Sequence, residues 1–159
     1  MAVADLIGAA VGVILLVIVA YLLVGSTIST AEIVTNAQKT AVLQEETQLR
    51  TDFTISEINR EDDYTFNCTI NNNGTEIISD FKHMDVIVYD GTNNYQLCTY
   101  STVASPGTWT IVDYGNEVIH SHELDPGESY IILVTTSGIS PHWFQITTGN
   151  GVYASKPLL

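Results

Sequence analysis

Residues 6–24 read LIGAAVGVILLVIVAYLLV and form a run of nineteen residues without a charged side chain. At a rise of about 1.5 Å per residue, a helix of this length nearly crosses a hydrocarbon core about 30 Å thick. No basic residue precedes Lys39, whereas a cleavable secretory signal carries Lys or Arg ahead of a shorter apolar run. The run therefore predicts a membrane-competent helix rather than a simple secretion signal.

The helix is predicted to continue beyond this apolar run. Between residues 28 and 49, apolar side chains recur at helical spacing and polar side chains take the other positions. No proline interrupts residues 1–50, so a continuous helix of about 45 residues, roughly 65 Å long, is allowed. Two interpretations follow. One is a single-span anchor with a short stalk; the other is a helix that bundles with copies of itself, in the membrane before assembly and in a filament core afterwards.

Assembly through such a helix would depend on its small and apolar side chains. Gly8 and Gly12 form one GxxxG pattern, which lets helices approach closely. Asp5 is the only charged residue before Glu32, and we expect it either in the lipid head-group region or paired with the terminal amine of a neighbouring subunit. The predicted assembly residues are Asp5, Leu6, Gly8, Gly12, Leu15, Leu16 and Tyr21.

After Arg50 the hydrophobic pattern changes from the helical period to a period of two, with turn signals every eight to twelve residues. Strands are predicted at 52–58, 64–70, 84–89, 95–101, 108–113, 118–122, 130–136 and 141–148. The connections are too short for crossover helices, which favours antiparallel sheets. The predicted fold class is α+β: a long N-terminal hydrophobic helix, residues 1–49, followed by an antiparallel immunoglobulin-like β-sandwich, residues 50–159.

The two cysteines and two glycosylation motifs leave alternatives open. Cys68 and Cys98 lack metal-ligand spacing, and either one disulfide or two buried free thiols is compatible with the sequence. Asn67 and Asn73 each begin an N-x-[ST] motif and are predicted on a solvent face or in a turn. Both are candidate glycan acceptors if the domain is exported, although such triplets also arise by chance in a chain rich in Asn and Thr.

Charge and motif content exclude several function classes. The formal net charge of −13, from 5 basic and 18 acidic residues, argues against nucleic-acid binding. The sequence contains no GxSxG, HExxH, P-loop, GxGxxG or CxxC pattern. His120 and His122, followed by Glu123 and Asp125, form a weak candidate for a metal site. We therefore expect no catalytic residues, no metal and no cofactor, and a protein that is not an enzyme.

The order of these features resembles archaeal type IV pilin-like proteins, in particular the archaellum family with its archaellins and FlaF/FlaG-type accessory proteins. The resemblance covers essentially the whole chain. It rests on the uncharged run at 6–24 and on the segments NAQK at 36–39, LRTDF at 49–53, NNG at 72–74, LDPGE at 124–128 and GNGV at 149–152. The chain differs from type IV pilins in carrying Asp5 where they usually have Glu, and in lacking a basic leader.

This resemblance implies a structural role outside the cytoplasmic membrane. The first hypothesis is a subunit of an archaeal surface filament, for motility or adhesion, that assembles with copies of itself through the helix and exposes the sandwich. The alternative is a membrane-anchored FlaF/FlaG-type stator or surface-layer-binding module that does not polymerise. The implied partners are copies of the chain, related filament subunits or a surface-layer protein, and the membrane before assembly.

Overall fold

The computed structural model describes residues 2–115 and 117–158; within the helix, the side chains of residues 2 and 5 are outside the described set. One helix, α1, spans Ala2–Arg50. The strands are β1 Phe53–Arg60, β2 Thr65–Asn72, β3 Asp85–Tyr89, β4 Tyr95–Tyr100, β5 Thr108–Asp113, β6 Ser129–Thr135, β7 Trp143–Thr147 and β8 Tyr153–Pro157. The chain divides into two compact units between Leu43 and Gln44.

The first unit consists of the apolar part of α1. Its large apolar side chains between residues 6 and 24 are all exposed, from 48% for Ile18 to 79% for Tyr21. By length and composition this helix is able to cross a membrane, with a mean hydropathy of 2.9 in its most apolar window. An apolar surface on every side of a helix is unfavourable in water, so the unit requires lipid or other helices around it.

The second unit is a β domain whose strands follow the order β1-β2-β6-β5-β4-β3-β7-β8. The sheet folds into two layers, β1-β2-β6-β5 and β4-β3-β7-β8. The pairing of β4 with β5 joins the two layers. All pairings are antiparallel except that of β4 with β5, which is parallel over two residue pairs, Thr99 with Thr108 and Tyr100 with Trp109. The α+β architecture predicted from the sequence is confirmed, but the expectation of purely antiparallel pairing is wrong at this corner.

The parallel pairing of β4 with β5 needs no crossover helix, because a loop is long enough to bring the chain back to the start of β5. Residues 101–107 lead from β4 back to a position beside it, and the Thr99 amide donates to the Gly107 carbonyl oxygen. A crossover helix is needed when parallel strands pair over their whole length, whereas here the paired length is only two residues. The argument from loop length therefore does not apply to such a short pairing.

The core lies between the two layers. Strand residues alternate between buried and more exposed positions, as in β6 and β7. The Phe66 and Phe144 rings meet in the centre with centroids 4.7 Å apart. Cys68 and Cys98 are fully buried free thiols and do not form the disulfide that the sequence left open. Burial raises the pKa of Cys68 to about 12 and that of Cys98 to about 11.

Two strand assignments made from the sequence differ from the structure. Residues 118–122 are not a strand, because their backbone N–H groups bind carboxylates rather than a neighbouring strand. Strand β8, Tyr153–Pro157, was not predicted, since its sequence YASKP has weak alternation and ends in proline. It pairs with β7 at the edge of the second layer, and β1 contacts it, so the sheet is nearly closed.

Candidate functional site: the end of the helix within the β domain

The last turn of α1 and the first residues after it are built into the β domain. Backbone carbonyls at a helix C-terminus lack partners within the helix and must find them elsewhere. The Arg50 carbonyl oxygen accepts from the amides of Thr75 and Glu76, at 2.9 and 3.2 Å. The Asp52 carbonyl oxygen accepts from the amides of Asn73 and Gly74, at 2.9 and 2.8 Å. The turn after β2 thus holds the helix end in place of an ordinary cap.

Asn72 is the centre of this arrangement and is fully buried. Its side-chain Nδ2 donates to the carbonyl oxygens of Glu76 and Leu124, both at 2.8 Å, and its Oδ1 accepts from the Gly74 amide at 3.0 Å. Its backbone amide donates to the Glu128 carbonyl, and its carbonyl accepts from the Gly127 amide. One side chain therefore ties the turn that holds the helix end to the loop that precedes β6.

Gly74 allows the turn to approach the helix end closely. A Cβ at this position would lie 2.5 Å from both the Arg50 carbonyl oxygen and the Asp52 nitrogen. Both contacts are with backbone, which cannot move away as a flexible side chain would. Arg50 also forms ion pairs of 3.6 Å with Glu46 and Glu76, but its side chain is half exposed, and such pairs contribute at most about 1 kcal/mol.

A second turn, residues 149–152, contacts the same helix end from the other layer. Asn150 Nδ2 donates to Thr51 Oγ1 at 2.8 Å, and the Thr51 hydroxyl donates to the Thr47 carbonyl oxygen at 2.8 Å. The Gln48 side-chain amide donates to the Asn150 carbonyl oxygen. We call the set of Gln48, residues 50–52, 72–76 and 149–152 the junction. It brings together three of the segments that carried the family resemblance, which sequence alone did not place side by side.

A loop before β6 forms the second distinctive feature of the domain. Residues 114–128, of which 116 is outside the described set, contain no helix or strand, and three carboxylates hold their backbone. Glu128 accepts from the amides of Val118 at 2.7 Å and Asp125 at 3.2 Å. Asp125 accepts from the His120 amide at 2.9 Å, and Glu117 accepts from the His122 amide at 2.7 Å. We call this segment the carboxylate loop.

The charges of the carboxylate loop are coupled. Asp125 is buried, and its Oδ1 lies 2.9 Å from Nδ1 of the half-exposed His120. The hydrogen bond from His120 holds the pKa of Asp125 below its ordinary value, and the same bond raises the pKa of His120. The hydrogen bond from the His122 amide lowers the pKa of Glu117. The hydrogen bonds of the loop thus favour the ionised forms of Asp125 and Glu117. An open pocket of about 490 Å³ lies beside the loop.

The predicted metal ligands do not come together. His120 pairs with Asp125, while the His122 ring contacts the Ser121 hydroxyl and packs edge-on against Tyr114. Among the residues that the structure describes, no group of three or more His, Cys, Asp or Glu side chains is arranged to hold a metal ion. The residues that sequence reasoning used as metal candidates instead fix the backbone of the carboxylate loop.

The remaining predicted site residues are placed as follows. In the helix, Leu6, Leu15, Leu16 and Tyr21 are exposed, and a Cβ at Gly8 or Gly12 would meet no atom within 4 Å. The prediction for the Asp5 side chain lies outside the described residues. Asn73 is exposed in the junction turn, and its side-chain amide donates a hydrogen bond to Thr54 Oγ1 at 2.9 Å. Asn67 is half-buried in β2, and its side-chain amide donates to the Glu61 carboxylate. Sequence reasoning did not single out Thr51, Asn72, Asn150 or Glu128; their signal was their position in turn segments.

Comparison with family models and with curated protein sequences gives no match. Among solved structures, the chain is similar to the archaellum periplasmic stator protein FlaG from Sulfolobus acidocaldarius, with a TM-score of 0.51 and 24% identity over 68% of this chain and 99% of that one. It is also similar to a chain of the FlaF and FlaG stator complex from the same organism, with a TM-score of 0.51 and 23% identity over 67% of this chain and 87% of that one. The likeness extends the resemblance found in the sequence to the fold of the FlaF/FlaG-type proteins.

Proposed function

We propose that the chain is a membrane-anchored, non-catalytic component of an archaellum, of the stator kind, with its β domain outside the cytoplasmic membrane. The observation that carries the proposal is the fold likeness to FlaG, which covers 99% of that chain. This favours the accessory alternative of the sequence analysis over a polymerising filament subunit. The proposal includes no catalytic residue and no cofactor.

The exposed apolar helix supports the anchoring part of the proposal. Residues 6–24 present large apolar side chains in every direction, and a lipid bilayer removes all of that surface from water at once. The surface of the domain is acidic, with a net charge of −13 for the chain, which disfavours attachment to anionic head groups through the domain itself. The helix is therefore the element we assign to the membrane.

The junction supports the mechanical part of the proposal. A protein that holds other parts in place against a force needs an ordered chain where its helix ends in the domain. Here two turns bind the last turn of α1 and the residues after it through backbone and amide hydrogen bonds that involve Arg50, Thr51 and Asp52. These bonds lie within the β domain and leave no flexible linker between Arg50 and β1, which begins at Phe53.

The proposed partners are another archaellum component or a surface-layer protein. One of the similar structures is a complex of FlaF with FlaG, and a complex of this kind is what we propose for the present chain. A partner bound to the domain would resist displacement while the helix holds the chain in the membrane. Self-assembly into a long filament is the second candidate function, favoured by the length of α1, Ala2–Arg50, and by the open surfaces at Gly8 and Gly12.

The experiment that tests the proposal is fractionation and deletion in the native host. Filaments sheared from cells and washed membranes are probed for the chain, and a deletion strain is tested for swimming and for filaments by electron microscopy. We expect the chain in the membrane fraction and a strain that assembles filaments but does not swim. Regular incorporation along sheared filaments would replace this proposal with the filament-subunit function. A deletion strain that swims normally would remove the archaellum role.

Exposure of the domain outside the cell has its own test through the two glycosylation motifs. Asn73 is exposed in a turn, whereas Asn67 lies half-buried in the middle of β2, between β1 and β6. If the domain is exported and glycosylated, we expect a glycan on Asn73 and none on Asn67. Mass spectrometry of the native protein, with Asn73→Gln and Asn67→Gln as matched variants, measures this. Occupancy of Asn67 in place of Asn73 would contradict the assignment.

A further inference from the structure

The sequence contains two asparagine-glycine pairs, Asn73-Gly74 and Asn150-Gly151, and both lie in the junction. Asparagine is a thermolabile residue. In its deamidation, the backbone nitrogen of the following residue loses its proton and attacks the side-chain carbon Cγ. A five-membered succinimide ring closes, and the side-chain nitrogen takes up a proton and leaves as ammonia. Water then opens the ring at either carbonyl, which gives aspartate or isoaspartate. A following glycine hinders ring closure least, because it has no Cβ.

The structure holds the first pair in an unreactive arrangement. The Gly74 amide donates to the Asp52 carbonyl oxygen at 2.8 Å and to Asn72 Oδ1 at 3.0 Å, so two acceptors hold its proton. The side-chain amide of Asn73 donates to Thr54 Oγ1 at 2.9 Å, although Asn73 itself is exposed. The attacking nitrogen and the attacked side chain are thus both fixed by partners outside the pair, and hydrogen bonds rather than burial protect it.

The second pair is held in the same way by the other turn. The Gly151 amide donates to the Thr148 carbonyl oxygen at 2.9 Å. In the half-buried Asn150, Nδ2 donates to Thr51 Oγ1 at 2.8 Å and Oδ1 accepts from Thr148 Oγ1 at 2.6 Å. The side chain of Asn150 therefore cannot turn toward the Gly151 nitrogen without breaking bonds.

The residues that follow the helix take part in both sets of bonds. The Asp52 carbonyl oxygen accepts from the amides of Asn73 and Gly74, and the Thr51 hydroxyl oxygen accepts from Asn150. Residues 51 and 52 lie outside the strands, so their separation from the two turns breaks a bond at each pair and leaves the sheet intact. Local openings of this kind occur at a lower free energy than global unfolding. A modification that needs the open state proceeds in proportion to the population of that state.

We infer that Asn73 and Asn150 are latent deamidation sites, which stay intact while the helix end is bound in the junction and react once it separates. The reaction needs only water and base, so it requires neither a membrane nor a partner protein. Each event replaces a neutral amide with a carboxylate, and isoaspartate also lengthens the backbone of the turn by a methylene group.

The product opposes re-formation of the junction. A carboxylate at position 150 has no proton to donate to Thr51 Oγ1, whose own proton is donated to the Thr47 carbonyl oxygen. The new charge lies beside the C-terminal end of α1, where the helix dipole disfavours a negative group. Two carboxylates, those of Glu46 and Glu76, already lie at this helix end, and the chain has a net charge of −13. Deamidation therefore converts a reversible separation of the helix end into a lasting one.

The test is a deamidation time course of the full, unglycosylated chain in detergent and mildly alkaline buffer. Peptide mapping by mass spectrometry measures the loss of intact Asn73 and Asn150, and a sample unfolded in urea gives their rates without structure. We expect both residues to react at least about tenfold more slowly in the folded chain. Equal rates in the folded and unfolded samples at either residue would overturn the inference.

Thr51→Val tests whether a single opening controls both pairs. The substitution removes the acceptor of Asn150 Nδ2 and touches no bond of Asn73 or Gly74. Because it weakens the hold on the helix end, it should speed the reaction several-fold at both asparagines. A faster reaction at Asn150 alone would mean that each pair is held independently, and the coupling would be disproved.

Val88→Ala is the matched control for loss of stability. Val88 is fully buried in the core, and its truncation destabilises the whole domain without removing a junction bond. It should leave both deamidation rates close to those of the unsubstituted chain. If it speeds both reactions as much as Thr51→Val does, the pairs react only through global unfolding and the junction is not the controlling element.

Asn150→Asp tests the effect of the product. We expect the amides of Thr75 and Glu76, which the Arg50 carbonyl oxygen binds, to exchange with solvent several-fold faster in this variant. Asn59→Asp, an equal change of charge at an exposed position of β1, should leave their exchange unchanged. Unchanged exchange in the Asn150 variant would refute the claim that deamidation keeps the helix end separated.

Discussion

The junction and the carboxylate loop fix irregular backbone by different chemistry. In the junction, backbone groups are bound by other backbone groups and by the neutral amides of Asn72 and Asn150. In the carboxylate loop, the amides of Val118, His120 and His122 are bound by the side-chain carboxyl groups of Glu128, Asp125 and Glu117. Both segments lie in one domain, and Asn72 connects them through its bonds to Leu124, Gly127 and Glu128.

The difference predicts different responses to pH. Neutral amide hydrogen bonds do not titrate between about pH 2 and 9, so the backbone and amide bonds of the junction keep their contribution to stability across that range. Carboxylate acceptors lose their charge in acid, and charge-assisted bonds are the stronger kind only while the charge remains. The backbone and amide bonds of the junction therefore involve no titrating group, whereas the loop before β6 is held by groups that titrate. The predictions below test this contrast in order of expected effect.

The largest loss of stability is expected from Asn72→Ala. The substitution leaves the carbonyl oxygens of Glu76 and Leu124 and the Gly74 amide without their side-chain partner in a fully buried site. Each orphaned buried group costs about 1–3 kcal/mol, so we expect a loss of about 3 kcal/mol or more in the free energy of unfolding. The neighbouring Asn71→Ala, half-buried and bonded to Ser56 and Ser129, is the matched control and should cost about 1 kcal/mol.

Chemical denaturation of the full chain in detergent, followed by tryptophan fluorescence, measures both variants. The loss caused by Asn72→Ala should be the same at pH 4 and pH 8, since no titrating group takes part in its side-chain bonds. Equal losses for Asn71→Ala and Asn72→Ala would show that the junction is not the more strongly bonded site. A loss that depends strongly on pH would contradict the neutral character assigned to it.

The next largest loss of stability is expected from Gly74→Ala, for which Gly127→Ala is the matched control. At Gly74 a Cβ would meet backbone atoms of Arg50 and Asp52 at 2.5 Å, so the turn must separate from the helix end. At Gly127 nothing lies within 4 Å of a Cβ, but φ is +86°, which costs an L-residue about 1–2 kcal/mol. We expect the Gly74 variant to be less stable and to lose amide protection at Thr75 and Glu76, as measured by hydrogen exchange. The reverse order would mean that the close approach at the junction is readily relaxed.

Sequence patterns predict the long helix and seven of the eight strands found in the described residues, because these depend on local periodicity. The apolar run at 6–24 and the alternation in β2 are properties of neighbouring residues. The error at 118–122 has a physical cause. Val118 and Ile119 resemble strand residues, but their backbone is held by Glu128 and Asp125, whose role depends on the tertiary fold.

The junction was predictable only in part. The segments NNG at 72–74 and GNGV at 149–152 carry the family resemblance. What the sequence did not show is that both turns contact the same helix end, because residues 50, 74 and 150 are far apart along the chain. In the sequence Asn72 is distinguished only as part of the NNG segment, whereas its burial follows from its place at the end of β2 and its bonds to Glu76 and Leu124.

A smaller and local effect is expected from Asp125→Asn. The substitution removes the charge that pairs with His120, and an amide nitrogen cannot accept the hydrogen bond from the His120 backbone. The pKa of His120, now raised by its bond to Asp125, should fall toward its ordinary value of 6.5. An NMR titration of the imidazole measures the shift, and Asp85→Asn, at an exposed carboxylate in β3, is the control. An unchanged pKa of His120 in the Asp125 variant would contradict the pairing.

The smallest effect is the pH dependence of the carboxylate loop itself. The pKa of Asp125 and that of Glu117 are lowered by hydrogen bonds from His120 and from the His122 amide, so the stability they contribute is present above pH 4–5 and is lost as pH falls through their lowered values. The pKa of His120 is raised by its bond to Asp125, so its contribution is present below pH 6.5 and is lost as pH rises through that raised value. Protection of the loop amides is therefore greatest in a window at about pH 5–6.5, while the junction amides show none of this dependence.

His120→Gln separates the loss of amide protection in acid from the loss at higher pH. It removes the group that titrates on the alkaline side, so the loss of protection above pH 6.5 should disappear while the loss in acid remains. His142→Gln, at an exposed histidine outside the carboxylate loop, should leave both losses unchanged. The observable is the protection factor of the amides of residues 120 and 122, which are bound by Asp125 and Glu117, relative to those of Gly74 and Thr75 in the same sample, which cancels the intrinsic pH dependence of exchange. Parallel pH profiles for the two sets of amides would mean that the domain responds to pH as one unit, and the distinction between its two kinds of loop would fail.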